Sequence, residues 1–291
     1  MTTASLRATL IGATAILMWS TLALFTALSG TIPPFQLTAM AFTIAFFIGL
    51  ALWLRTGNGI LSNLKLPGRV WILGIGGLFG YHFFYFMALR NAPAVEASLI
   101  AYLWPLLIVV FSALLPGERL RWFHVAGALL GFVGAILLVT RGQGLSFEPQ
   151  YLVGYIAALV CALTWSSYSV LSRFVGSIPT NSVGGFCGAT AILATLAHLM
   201  FEQPVWPAGI EWLAVAALGL GPVGAAFFTW DYGVKRGNIK VLGALSYGAP
   251  LLSTLLLITF GLAQASWSVV LACIFIVGGA ILASLEFLAT A

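Results

Sequence analysis

Trp19-Ser20-Thr21, with Gly30-Thr31-Ile32-Pro33 behind it, returns later in the chain as Trp165-Ser166-Ser167 with Gly176-Ser177-Ile178-Pro179. In both copies a proline stands 14 residues after the tryptophan, so the two stretches align without a gap. The correspondence continues outward. Ala88-Leu89-Arg90 matches Gly233-Val234-Lys235, and Tyr102-x-x-Pro105 matches Tyr247-x-x-Pro250. Trp122 matches Trp267, and Gly134-Ala135-Ile136-Leu137 matches Gly279-Ala280-Ile281-Leu282, always at an offset near 145. One short match is chance, but an ordered series at one offset marks a duplication. We divide the chain into repeats 1–145 and 146–291.

Composition sets the solvent of these repeats. Of 291 residues 61% are hydrophobic and 7% charged, against roughly 25% charged in a soluble domain. Too few charges remain to cover a water-facing surface, so lipid solvates most of the exterior. The net charge of +5 does not point to nucleic acid, because the basic residues stand at the ends of apolar runs. Ten runs are long enough for spanning helices: 8–28, 35–54, 69–89, 95–115, 122–140, 152–174, 182–201, 210–232, 241–260 and 267–288. The first begins after Arg7 and is read as a retained span, not a cleaved signal. Cys161, Cys187 and Cys273 lie inside apolar runs without metal-ligand spacing, and are read as packing residues. No metal or cofactor is expected.

The basic residues also orient the chain. With both termini cytoplasmic, Arg7, Arg55, Lys65, Arg69, Arg119, Arg121, Arg173, Lys235, Arg236 and Lys240 fall on the inner side, leaving only Arg90 and Arg141 outside. That asymmetry follows the positive-inside rule and checks the span count. Five spans per repeat make the second half enter from the opposite side. The expected fold is an all-α integral membrane protein of ten transmembrane helices in two inverted five-helix repeats. Inverted repeats support alternating access around a midplane site, so the chain reads as a small-molecule transporter.

Polar and aromatic residues inside the spans are the candidates for that site. Span three carries Gly80-Tyr81-His82-Phe83-Phe84-Tyr85-Phe86. His82 is a candidate to bind substrate or carry a proton, with Tyr81 and Tyr85 alongside. Trp19 and Trp165, repeat-equivalent and at mid-depth, are expected to face one another across a cavity. Tyr102 and Trp104 extend the aromatic set, and Tyr168, Trp230 and Tyr247 supply the other half. Such a lining suits a flat, partly apolar substrate, or a cation over the rings. Pro105 and Pro250 are expected to kink matched helices and serve gating. Asp231 is placed to pair with Lys235, and Glu96 with Arg90; His124 and His198 sit near span ends and read as interfacial. No acidic chain crosses the spans, so facilitated transport is favoured over proton coupling through His82.

Gly219-x-Gly221-x-x-Gly224 fits a dinucleotide pattern but lies inside an apolar span and is set aside. The pairs Gly127/Gly131, Gly76/Gly80 and Gly184/Gly188 permit close helix contact and need not mark an oligomer. A monomer is compatible with this reading.

The five-plus-five arrangement, the Trp-Ser near the start of each half and Pro116-Gly117-Glu118-Arg119 after span four resemble EamA-type members of the drug/metabolite transporter superfamily. Gly80 to Phe86, Asn91 to Ala97 and Tyr102-Leu103-Trp104-Pro105 are similar, more narrowly, to YddG-type aromatic amino acid exporters of bacterial inner membranes. The resemblance implies export of Phe, Tyr and Trp, and of cationic aromatics such as methyl viologen, through a basket-shaped cavity. Trp19, Tyr81, His82, Trp104 and Trp165 are the residues it carries over. Span two reads Leu37-Thr38-Ala39-Met40-Ala41-Phe42 and lacks the arginine of many relatives. Glu118 has Gln264 as its second-half counterpart, which implies that the two halves have diverged at one gate. The competing readings are a carrier of another amino acid or a nucleotide sugar, and a membrane-embedded enzyme, for which no nucleophile–base pair or ligand set is evident.

Overall fold

Apolar chain in lipid satisfies its backbone groups inside helices, and the apolar runs of the described residues are helical. The computed structural model describes residues 3–57, 59–145 and 147–285. We label the spanning segments α1 (Thr3–Leu28), α2 (Pro34–Arg55), α3 (Gly68–Asn91), α4 (Ala94–Leu114) and α5 (Trp122–Thr140) in the first half. The second half holds α6 (Pro149–Leu171), α7 (Thr180–Phe201), α8 (Ile210–Arg236), α9 (Ile239–Thr259) and α10 (Trp267–Ala283). Among the described residues, nine of these are long and apolar enough to cross a membrane, and α10 is a shorter apolar helix of 17 residues. The expected end of the tenth span, at 286–288, lies outside the described residues.

The helices pair as two inverted halves require. α1 lies along α8 and its image α6 along α3, while α2 pairs with α7 and α5 with α10, each with its own image. Small residues set these crossings, since helices in lipid associate through close packing. Gly12 meets Gly233 between α1 and α8, Gly49 meets Gly184 between α2 and α7, and Gly127 meets Gly279 between α5 and α10. Of the three expected glycine pairs, Gly76 faces open space, while Gly131 packs on Tyr247 and Gly188 on Phe46. Large apolar side chains such as Ile72, Leu199 and Leu213 point outward.

Four of the spans are interrupted at matched positions. α3 carries a π-helical turn at Gly76–Gly80 and α8 one at Gly221–Ala225. α4 breaks between Ala101 and Trp104, and α9 between Leu245 and Gly248. The set-aside glycine pattern of α8 therefore lies at a π turn. Such turns widen a helix and leave carbonyls without regular partners, frequently at functional sites.

Candidate functional site

The interruptions surround a cavity of about 670 Å³ between the halves, within the size range of small-molecule sites. It reaches from mid-depth to the ends of α1, α2 and α3 near Ile32, Pro34 and Leu89. We call that the open side. Among the described residues its lining contains no Asp, Glu, Lys or Arg.

Tryptophans form the floor. Trp19 and Trp165 lie with ring centroids 5.6 Å apart, edge to face, so the repeat-equivalent pair meets in direct contact on the floor and does not face across the cavity. Trp104 completes the floor at 6.1 Å from Trp19 and 6.3 Å from Trp165. Behind them Trp230 is fully buried, stacks on Trp165 and donates its indole N–H to Ser169 Oγ at 3.0 Å. Trp19 donates its own to the Pro222 carbonyl in the π turn of α8, at 3.0 Å.

One wall is polar. Tyr81 and Tyr85 present parallel rings, and Tyr81 approaches Trp165 to 5.6 Å. His82 Nδ1 lies 2.7 Å from the Leu78 carbonyl. A carbonyl only accepts, so Nδ1 carries the proton. In the neutral ring Nε2 is then an acceptor. Tyr102 and Ser98 add hydroxyls from α4.

Trp19, Tyr81, His82, Tyr85, Tyr102, Trp104 and Trp165 thus share one cavity, with Pro250 on its wall. Tyr168, Tyr247 and Pro105 do not line it. Tyr168 packs its ring against Gly77 at the π turn of α3. Tyr247 is buried between α4, α5 and α9, where its hydroxyl accepts the Leu106 N–H at 3.2 Å, directly after Pro105. Sequence reasoning passed over Phe227, which lies 5.6 Å from Trp165. It is the image of His82 at offset 145, so the repeat already held that signal.

The opposite side is shut by charge. Glu118, in the loop after α4, meets Arg173 at 2.5 Å and Lys240 at 3.1 Å. Arg173 also donates to the Val234 carbonyl at 2.7 Å and to the Gly237 carbonyl, and Lys240 to the Arg119 carbonyl at 3.0 Å. Burial alone would raise the Glu118 carboxyl, but the ammonium of Lys240 and the guanidinium of Arg173 hold it below its ordinary value. Asp231 pairs with Lys235 at 2.9 Å, as expected, and accepts from Thr180.

Other expectations at the helix ends are corrected. Arg90 does not pair with Glu96; it lies 3.5 Å from Glu202. Glu202 is fixed by the N–H groups of Phe35 and Gln36 at the start of α2, which favours a carboxylate there. Glu96 sits beyond the break at Ala92-Pro93, buried, with Oε2 unpartnered. His124 and His198 lie in the end turns of their spans and are buried against protein: His124 accepts the Arg121 N–H, and His198 pairs with Glu202 at 3.0 Å.

The doubled fold has a counterpart in known families. The EamA-like transporter family matches residues 6–140 and again residues 152–285. The chain belongs to the EamA-like transporter family. It is a multi-pass protein of the bacterial inner membrane. It is 60% identical to the aromatic amino acid exporter YddG of Ancylobacter novellus, over 96% of this chain and 97% of that one. It is 27% identical to the exporter of the same name from Salmonella typhimurium, over 87% and 88% of the two chains. A crystal structure of a protein 59% identical superposes with a TM-score of 0.91, covering 96% of this transporter and 98% of that chain.

Proposed function

We propose that this transporter exports aromatic amino acids, by alternating access of the charge-free aromatic cavity between its halves. The observation that carries this reading is the lining: three tryptophans, three tyrosines and one histidine, with no charged side chain. Rings stack on the tryptophan floor. A zwitterion brings both charges and no net charge, so it needs no buried counterion. His82 Nε2 accepts from the substrate ammonium, and the tyrosine hydroxyls and free indole N–H groups donate to its carboxylate. Methyl viologen, a dication, is left with cation–π contact alone and is the weaker ligand.

The termini are cytoplasmic in this reading, because ten of twelve basic residues then fall inside. The open side accordingly faces outward and the Glu118 side inward. The two repeats, 1–145 and 146–291, rock against one another about the site. With His82 bonded to Leu78 and no carboxylate in the lining, transport is facilitated and not proton-driven.

Uptake of labelled Phe, Trp, Leu and Glu into proteoliposomes, with and without a pH gradient, tests the proposal. Phe and Trp are expected to cross in preference to Leu and Glu without a gradient. Equal Phe and Leu rates would overturn the aromatic reading, and a strict gradient requirement the facilitated one.

A further inference from the structure

Two hydrogen bonds cross between the halves at repeat-related places, and each lacks its image. Trp19 Nε1 donates to the Pro222 carbonyl in the π turn of α8. The image of Trp19 is Trp165, and the image of Pro222 is Gly77, in the π turn of α3. Trp165 makes no indole hydrogen bond among the described residues, and its nitrogen is not fully enclosed by protein. The N–H is therefore open to the cavity that Trp165 lines. The second bond runs from the Leu106 N–H to the Tyr247 hydroxyl, at the break of α4. Its image would join Leu251 N–H to the Tyr102 hydroxyl at the break of α9. Tyr102 instead lines the cavity.

Both bonds are made in one sense only: a first-half donor to a second-half acceptor, each at a helix interruption. The image partners are close. Tyr168, one turn after Trp165, already rests its ring on Gly77, and the Trp165 ring lies 5.2 Å from that of Tyr168. An inverted repeat reaches its second state by exchanging the conformations of its halves.

We propose that the two bonds are one setting of an exchangeable pair. When the open side closes, Trp19 and Tyr247 let go. Trp165 then donates to the Gly77 carbonyl and Tyr102 accepts from Leu251 N–H. In each state the untied tryptophan offers its N–H to the cavity, so one indole donor serves the substrate carboxylate throughout and the other holds the π turn. This rests on the alternating-access reading, and adds which residues hold each state.

The test is thiol labelling without substrate. Thr26 lines the cavity and is exposed at its mouth. A Thr26→Cys reporter, with exposed Cys273 replaced by Ser, is labelled in proteoliposomes by a membrane-impermeant maleimide. Trp19→Phe and Tyr247→Phe keep the rings and remove one hydrogen bond each. Each is expected to lower the open-to-closed ratio about fivefold. Trp165→Phe and Tyr102→Phe are expected to raise it, and Trp19→Phe with Trp165→Phe to return it close to the starting value. A purely structural role gives no such opposite signs or compensation. Movement of Trp19→Phe and Trp165→Phe in the same direction, or no response to Trp19→Phe and Tyr247→Phe, would overturn the exchange. Neither result touches the aromatic preference. Conversely, loss of that preference in uptake with the expected labelling pattern intact overturns the substrate reading alone.

Discussion

The two ends of the molecule are images of one another, yet they are built from different chemistry. On the closed side α1 crosses α8 at Gly12 and Gly233, close enough that a Cβ on Gly12 would stand 2.9 Å from the Gly233 Cα. At the image crossing, between α6 and α3 on the open side, the repeat places Ala158 and Ala88, both buried in one apolar cluster, with Gly154 against Ala92 beyond them. The closed side adds Glu118 with Arg173 and Lys240. Where the repeat places the counterpart of Glu118, the open side has the exposed neutral Gln264. A duplicated fold allows two equal states. Glycine at one crossing, alanine at the other, and a charge cluster at one end only bias it towards the state described here.

Removing the cluster therefore gives the largest effect. Arg173→Ala deletes the bonds to Glu118, Val234 and Gly237 and leaves Glu118 short of a cation. It is expected to shift the equilibrium towards opening of that side by about 3 kcal/mol, roughly a hundredfold. Interspin distances across the closed side measure this, and an unchanged distribution would remove the cluster as a latch. Gly12→Ala comes next. The added methyl group forces α1 from α8 at a cost of about 1–3 kcal/mol. Ala158→Gly at the image crossing adds no group and is expected to cost about 1 kcal/mol, the helix propensity lost. Comparing the two melting temperatures checks the difference.

A smaller effect follows from protons. Glu118 is held below its ordinary value of 4.5 by its two cations. Its contribution is fully present above that value and is lost as the pH falls below it. Closed-side distances are thus expected to be flat from neutral pH down to about 5, then to widen on further acidification. Glu118→Gln is expected to show the widened distances at neutral pH, and a response of the unmodified protein between pH 8 and 6 would contradict the assignment. The smallest effect is expected inside the cavity. His82→Leu removes one acceptor and raises the KM for Phe about tenfold, while His82→Gln, which keeps polar atoms, raises it less.

Much of this was legible in the sequence because the duplication was. The offset near 145 located the paired tryptophans, and hydropathy with the charge distribution gave the spans. The π turns were not legible: Gly76–Gly80 and Gly221–Ala225 read as ordinary apolar helix, since hydropathy is blind to one extra residue per turn. Tyr247 was misplaced in the lining because it is an image of Tyr102, and identity under the repeat does not fix which partner faces the cavity in one state. The Glu202 site escaped for another reason. Its partners Phe35, Gln36, Arg90 and His198 come from three helices, and no local pattern joins them.

If the charge-free cavity of one state is the aromatic binding site, a bound substrate shields its walls. The most direct measurement places a cysteine at Ser253, on the α9 wall of that cavity, and follows its alkylation with added amino acids. Phe and Trp are expected to protect it in a saturable way, and Leu and Lys to leave the rate unchanged. Equal protection by Leu and Phe, or none by Phe at concentrations that saturate transport, would show that this cavity is not the aromatic site.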